Sequence, residues 1–183
     1  MKTFYHRLCC MTAAAIVAAA VPLLANALPL MVGDKAPEFV GHDQDGHKWK
    51  LKTQLGKEVV LLYFYPKDDT RGCTVEACGL RDKMFNFKQE GVTVVGVSRD
   101  SAKSHKEFIF KYDLNFPLLA DTSGDIAKVY GAQMGDNDKM DRRVSFLIGL
   151  DGHIVHITDS PDPAVHLREM QSAITRLQTK NAL

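Results

Sequence analysis

The apolar residues of this chain are most concentrated in one short stretch in its first half. Val59 to Tyr65 is an unbroken run of valine, leucine and aromatic residues, which predicts a strand buried on both faces at the centre of a sheet. Pro66 ends the run, and a polar loop follows it. Apolar residues then recur at helical spacing, which predicts a helix from Cys73 to about Glu90. A cysteine therefore lies where a central strand passes through a loop into a helix.

The other apolar segments alternate between the patterns of strands and helices. Short apolar pieces on either side of a turn at residues 41–46 predict an N-terminal hairpin. Asn115–Ala120 is expected at an edge of the sheet or with a bulge, because Pro117 cannot donate to a strand ladder. The further predicted strands are Val92–Val97, Val144–Ile148 and Ile154–Thr158, and the further helices begin after Ser101, at Asp125 and at Pro163.

This order of elements predicts the fold class. Strands alternate with helices along most of the chain, and an antiparallel hairpin with an Asp-Gly turn precedes the last helix. Such an order is typical of an α/β protein with a mixed central sheet and helices on both faces. Together with the N-terminal β-hairpin, it is the layout of the thioredoxin-like fold.

The first 27 residues have the pattern of a secretory signal peptide. A short basic start precedes an uncharged, alanine-rich run from Leu8 to Leu24, and Ala25-Asn26-Ala27 has small residues where a signal peptidase needs them. We therefore predict cleavage after Ala27, export to the periplasm, and no stable membrane association of the mature chain. An uncleaved anchor is the first alternative, although the apolar run is short and Pro22 interrupts it. A cytoplasmic protein that starts at Met31 is the second.

Composition limits what the remaining chain, residues 28–183, is expected to do. Its length and the 45% hydrophobic content of the full sequence fit one globular domain, and the net charge of +1 of the full sequence gives no basic face for nucleic acid. The first two cysteines leave with the signal peptide, so that Cys73 and Cys78 are the cysteines of the mature domain.

No cofactor and no metal site is expected from the histidines, cysteines and acidic residues. Cys73 and Cys78 do not have the spacing of a zinc site, and the Asp-x-Asp-Gly fragment at Asp43 lacks the later carboxylate that would close a calcium loop. His105 and His166 are predicted on the surfaces of their helices. The remaining histidines of the domain flank turns or alternate across a strand, namely His42, His47, His153 and His156.

The loop before Cys73 carries a family resemblance. The pattern Pro66-x-x-x-Thr70-x-x-Cys73 after an apolar strand resembles the active-site signature of the peroxiredoxins. The longer match FYPKDDT-x-GCT-x-EACG-x-RD is similar to the bacterioferritin-comigratory, or Q-type, branch. The segment DKAPEF at residues 34–39 and the strand that begins with Arg143 extend the resemblance over the mature chain. Arg71 stands where the branch usually has proline.

The resemblance implies a role for each residue of the loop. A thiolate attacks one peroxide oxygen and the other oxygen leaves as hydroxide or alkoxide, so the site must hold a thiolate and stabilise the moving charge. A helix N-terminus favours the thiolate form of Cys73. The resemblance implies that Thr70 supplies a hydroxyl, Arg143 a cation, and Glu76 a carboxylate that orients the arginine. It also implies that Pro66 shields the pocket from water and that Gly72 allows a close approach of peroxide to the backbone. Arg143 is preferred to Arg142 because it fits the R-x-S-F-L-I pattern.

Cys78 matches the resolving cysteine of the same branch. Five helical residues separate Cα atoms by roughly 8.7 Å, whereas a disulfide needs a separation below ~7 Å. A disulfide with Cys73 therefore requires the first turns of the helix to unwind, and Gly79 is expected to weaken the helix there by roughly 1 kcal/mol. The alternative is that Cys78 is a buried cysteine with no chemical role.

The resulting hypothesis is a thiol-dependent peroxidase that acts on hydrogen peroxide and organic hydroperoxides. The resemblance implies a thioredoxin-like reductant and a monomer. A thiol–disulfide oxidoreductase is a second reading, but the chain lacks the Cys-x-x-Cys motif of that class. A third is a domain without enzymatic activity, in which an oxidising compartment turns the two cysteines into a structural disulfide.

Overall fold

The computed structural model describes residues 29–135 and 138–181, so the predicted signal peptide lies outside the described residues. Seven strands and four helices occur in the described part. The strands are β1 Val40–His42, β2 Lys48–Lys50, β3 Val59–Phe64, β4 Val92–Ser98, β5 Leu118–Ala120, β6 Val144–Ile148 and β7 Ile154–Asp159. The helices are α1 Arg71–Gln89, α2 Ala102–Tyr112, α3 Asp125–Val129 and α4 Pro163–Asn181, and Leu51–Thr53 forms one 3-10 turn. In the described segments, none of the helices is both long and apolar enough to span a bilayer.

The strands form a mixed five-stranded sheet in the order β5-β4-β3-β6-β7, while β1 and β2 pair as a separate antiparallel hairpin. As predicted, the apolar run forms the central strand, which is parallel to β4 and antiparallel to β6. The strand after Pro117 lies at the edge of the sheet, also as predicted, and it begins only at Leu118. Since the proline precedes the strand, no ladder hydrogen bond is lost.

Two layers of apolar side chains cover the sheet, and the central strand contributes alternately to each. Leu61 and Tyr63 belong to the layer that is closed by α1, α2 and α4. Val60 and Leu62 belong to the layer that is closed by α3 and the N-terminal segment. Burying both faces of β3 accounts for its continuous hydrophobic sequence. The predicted α/β, thioredoxin-like architecture with an N-terminal hairpin is confirmed.

Helix α1 begins two residues earlier than the sequence pattern predicts. Thr70 is its N-cap with extended backbone dihedrals, and the helix runs without interruption from Arg71 to Gln89. Cys73 is therefore in the first turn and Cys78 in the second turn of one regular helix, and both are free thiols. A disulfide between them is incompatible with this helix, because five helical residues separate the two Cα atoms by more than a disulfide can span.

The loop between β3 and α1 is anchored to α2 by two consecutive aspartates. The buried carboxylate of Asp68 accepts hydrogen bonds from the Tyr65 and Ser104 hydroxyls, each at 2.7 Å. Asp69 has a positive φ of 56°, and its carboxylate accepts from Lys111 Nζ at 2.6 Å and from Tyr112 Oη at 2.5 Å. These bonds hold the loop in one position before the helix starts.

His105 completes this anchor, and its predicted surface position is wrong. Its side chain is fully buried, with Nδ1 2.9 Å from Asp68 Oδ2 and Nε2 3.2 Å from the carbonyl oxygen of Leu119. His105 lies three residues before the core residue Phe108 and therefore shares the inward face of α2. A buried imidazole is tolerated here because both ring nitrogens face a hydrogen-bond partner.

Gly79 is a packing residue of α1 and not only a weak point in the helix. A Cβ atom at this position would lie 2.4 Å from Cδ1 and 2.9 Å from Cδ2 of Leu167 in α4. The missing side chain thus lets α1 and α4 approach closely, one residue after Cys78. The two helices pack on each other along the same face of the sheet.

We predict that the effect of Gly79→Ala on stability reverses sign with the size of residue 167. Alanine in place of glycine gains up to ~1 kcal/mol of helix propensity, but overpacking against Leu167 costs about 1–3 kcal/mol, so the single variant is destabilised. In a Leu167→Ala background, where the space is open, the same change stabilises. Urea unfolding of the four reduced proteins measures the cycle. Stabilisation by Gly79→Ala beside the native leucine would contradict the packing account.

Candidate active site

Cys73 lies in the first turn of α1, at the carboxyl end of the central strand. Only 2% of the residue is exposed, and it belongs to the same apolar cluster as Tyr63 and Tyr65 of the preceding segment. The backbone N–H groups of a first helical turn lack intrahelical acceptors and carry partial positive charge. The position combines exclusion of bulk water with a local field that favours an anion.

Arg143 contacts this cysteine although the two residues are 70 positions apart in the sequence. It directly precedes β6, whose first residue, Val144, pairs with Phe64 at the end of β3. Its Nη2 atom donates to Cys73 Sγ at 3.3 Å, and its Nε atom donates to the carbonyl oxygen of Pro161 at 3.2 Å. The antiparallel register of β6 beside β3 therefore puts a cation next to the thiol.

The third group of the site is Glu76, one turn along α1 from Cys73. Its carboxylate accepts a hydrogen bond from Nη1 of Arg143 through Oε2, and only 1% of the residue is exposed. Burial raises the pKa of Glu76 to about 7, against the opposing effect of the Arg143 charge. Its other oxygen, Oε1, has no hydrogen-bond partner within the part of the chain that the structure describes.

Gly72 makes room for the guanidinium group. A Cβ atom there would lie 3.2 Å from Arg143 Nη2, which is tighter than ordinary van der Waals contact. The sequence predicts this glycine as a place for peroxide to approach the backbone. The structure adds a second reason for it, because any larger residue would press on the arginine that contacts Cys73.

Thr70 and Pro66 lie in the loop that leads into α1. Thr70 is exposed, and its hydroxyl donates to the carbonyl oxygen of Lys67 at 3.1 Å. The hydroxyl proton is therefore engaged within the loop, and the oxygen can act only as an acceptor toward Cys73 in this arrangement. Pro66 is half-buried, two residues after the end of β3. The proposed roles of both residues stay predictions.

The neighbouring Arg142 points elsewhere. Its Nη1 atom binds Asp159 Oδ2 at 2.6 Å and its Nη2 atom donates to the carbonyl oxygen of Gly131 at 2.7 Å, with 41% of the side chain exposed. Consecutive residues in extended backbone face opposite sides, so one arginine of the pair reaches the thiol and the other lies at the surface.

His166 is a part of the site that the sequence analysis missed. Its predicted position on the surface of α4 is wrong, because it is 2% exposed and its Nδ1 atom lies 3.6 Å from Glu76 Oε1. The periodicity of α4 could have revealed it, since His166 precedes the buried Met170 by four residues and shares its face. The polar partners that make this burial tolerable come from other elements and leave no local signal.

One group of candidate metal ligands exists in the described segments. Asp43, Asp45 and His47 place their ligand atoms within 4.8 Å of one another at the turn of the N-terminal hairpin. Asp43 Oδ1 is already used by its own turn, since it accepts from the backbone N–H groups of Asp45 and His47, each at 2.9 Å. A structural role in the turn accounts for the Asp43 carboxylate.

Comparison with known proteins places the fold and the site in context. The model of the AhpC/TSA family matches residues 32–157. Peroxiredoxin Bcp of Escherichia coli (strain K12) is 44% identical over 136 residues, which cover 72% of this chain and 86% of that protein. Chloroplastic peroxiredoxin Q of Oryza sativa subsp. japonica is 38% identical over 138 residues, which cover 75% of this chain and 63% of that protein.

Solved structures give the same assignment. Peroxidoxin BcpB from Mycobacterium tuberculosis superposes with a TM-score of 0.74 at 29% identity, covering 79% of this chain and 96% of the other. Xanthomonas campestris peroxiredoxin Q superposes with a TM-score of 0.70 at 28% identity, covering 76% and 91%. The family match, residues 32–157, contains β3, α1 and the loop before Cys73. The chain belongs to the AhpC/TSA family, as a thioredoxin-fold thiol peroxidase of the Bcp and peroxiredoxin Q type.

Proposed function

We propose that Cys73 is the residue that reduces peroxide in this thiol peroxidase. The thiolate attacks one oxygen of the hydroperoxide, an S–O bond forms while the O–O bond breaks, and the departing hydroxide or alkoxide takes up a proton. The observation that carries this assignment is the 3.3 Å contact from Arg143 Nη2 to Cys73 Sγ at a buried helix start. A guanidinium there stabilises negative charge first on sulfur and then on the oxygens.

Cys78 is proposed as the resolving residue. Its sulfur attacks the sulfur of the Cys73 sulfenic acid, an S–S bond forms, the S–O bond breaks, and the hydroxyl leaves as water with one proton. Because both cysteines lie on the intact α1, its first two turns must open before this step. The close contact of Gly79 with Leu167 holds α1 to α4 just beyond Cys78, so we expect the opening to stop there.

The substrates and the electron donor follow from the chemistry of the family. The bacterioferritin comigratory protein of Xanthomonas campestris, whose structure resembles this chain, has alkyl peroxide reduction activity. For this chain we propose hydrogen peroxide and organic hydroperoxides as substrates. A thioredoxin-like dithiol then supplies the two electrons that reopen the Cys73–Cys78 disulfide by thiol–disulfide exchange.

The two competing readings of the sequence have less support. A thiol–disulfide oxidoreductase would need two cysteines that can bond across one helical turn. Cys73 and Cys78 are instead separated by nearly a turn and a half of α1. A structural disulfide would need the cysteines in bonding distance in the folded state, whereas both are free on an intact helix. The paired Arg143 and Glu76 also have a use in peroxide chemistry that neither alternative requires.

The two cysteines are predicted to separate the reaction into its steps. Reduced Cys73→Ser shows no rapid peroxide loss, because Cys73 is the cysteine that Arg143 contacts in the described part of the chain. Reduced Cys78→Ser consumes about one equivalent of peroxide and then fails to turn over with a thioredoxin-type donor. Stopped-flow peroxide consumption measures both variants, and mass spectrometry detects the Cys73–Cys78 bond in the oxidised native protein. Retained turnover in Cys78→Ser, or sulfenic acid that persists on Cys73 of the native protein, would exclude the resolving role.

Glu76 is predicted to make the stability of the reduced protein depend on pH. Its folded-state pKa of about 7 lies above the ordinary value of 4.5, so the folded protein holds this proton more tightly than the unfolded chain. The stability it contributes is complete below about pH 4.5 and is lost as the pH rises to about 7. Glu76→Gln cannot ionise, so its free energy of unfolding should fall less between pH 5 and 7. Urea unfolding at several pH values tests this, and an equal fall in both proteins would contradict it.

Export of a monomer is a separate proposal that rests on the N-terminal pattern. Expression of the full chain in a bacterium should give a periplasmic protein that begins at Leu28, because a peptidase cuts after Ala27. Intact mass spectrometry measures the cleavage, and light scattering measures the native mass. A retained leader, or a cytoplasmic chain that begins at Met31, would overturn the export proposal, and a stable dimer would overturn the monomer.

A further inference from the structure

We propose that His166 is a positioning residue for peroxide reduction, because it fixes groups on two sides of the Arg143 guanidinium. The inference rests on the proposed roles of Cys73 and Arg143. His166 touches neither the thiol nor the expected place of the peroxide. It lies behind Glu76, in the first turn of α4, and is almost completely buried.

The first connection passes through the segment between β7 and α4. His166 Nε2 lies 2.8 Å from the carbonyl oxygen of Ser160, and the next carbonyl oxygen, that of Pro161, accepts a hydrogen bond from Arg143 Nε. A carbonyl oxygen can only accept, so Nε2 carries a hydrogen. The imidazole thus holds in place the peptide segment that orients one edge of the guanidinium.

The second connection passes through the carboxylate. His166 Nδ1 lies 2.8 Å from Ser145 Oγ and 3.6 Å from Glu76 Oε1, the oxygen that lacks a hydrogen-bond partner in the described residues. With Nε2 protonated, the Nδ1 atom of a neutral ring accepts a hydrogen bond from the Ser145 hydroxyl. The ring therefore packs against the carboxylate whose other oxygen binds Arg143, and fixes its orientation by contact.

Burial favours the neutral form of the His166 ring, and the surrounding carboxylates oppose it. Burial lowers the pKa of His166, with the Ser160 carbonyl opposing and the Arg143 charge adding to the effect. The carboxylates that face it are Glu76 from α1, Asp159 from β7 and Glu169 from α4 itself. Near neutral pH His166 consequently acts through its two hydrogen bonds, and its contribution is geometric.

Two amide variants separate the connections. The amide nitrogen of His166→Gln reaches the place of Nε2 and can still donate to Ser160, whereas the amide of His166→Asn reaches only the place of Nδ1. We expect the second-order rate constant of the reduced protein with peroxide to fall about 10-fold in His166→Asn and less than about 3-fold in His166→Gln. The exposed His153→Asn, which removes a side chain 3.1 Å from Asp151, serves as the matched control and should retain the native rate.

The pH dependence of thiol reactivity gives an independent readout. The rate of iodoacetamide alkylation of Cys73 is measured against pH in two proteins, Cys78→Ser alone and Cys78→Ser with His166→Asn. The midpoint of the pH profile should be at least half a pH unit higher in the protein that also carries His166→Asn, because a displaced guanidinium stabilises the thiolate less. A purely structural histidine would lower the melting temperature without moving the midpoint or the rate per folded molecule. Unchanged rate and midpoint in His166→Asn would overturn the proposal. If Cys73→Ser retained the peroxide reaction, the proposed function itself would fail instead.

Discussion

Several separate parts of this structure are needed to form the contact between the Arg143 guanidinium and the Cys73 sulfur. Seventy residues separate the two in sequence, and the antiparallel pairing of β6 with β3 brings them together. Gly72 leaves space for the guanidinium, while Glu76 and the Pro161 carbonyl fix its direction. A buried cation needs such partners, because an uncompensated charge in an apolar interior is costly.

The same helix start has two requirements that oppose each other. Its free N–H groups favour a thiolate only while the first turn is folded, but Cys78 can reach Cys73 only after that turn opens. The structure limits the conflict to a short segment. The anchors of Asp68 and Asp69 on α2 lie before it, and the contact of Gly79 with Leu167 lies after it. Between these points the proposed opening of the helix would release Glu76 but leave the sheet, and with it the backbone beside Arg143, in place.

The parts of the fold that were predictable are those whose cause is local. The central strand follows from seven consecutive apolar residues, and the choice of Arg143 over Arg142 follows from a short motif on an extended segment. The buried positions of His105 and His166 were not predicted, because each ring has a hydrogen-bond partner on another element, Asp68 for His105 and Ser145 for His166. The packing role of Gly79 was not predictable for the same reason, since the side chain that fills its space belongs to α4.

One short helical segment is proposed to be folded for attack on peroxide and open for disulfide formation. Amide hydrogen exchange of residues 71–79, measured by mass spectrometry before and after one equivalent of peroxide, distinguishes these two states. We expect slow exchange there in the reduced protein and fast exchange in the disulfide form, with residues 80–89 protected in both. Equal protection of residues 71–79 in the two forms would show that the segment does not open.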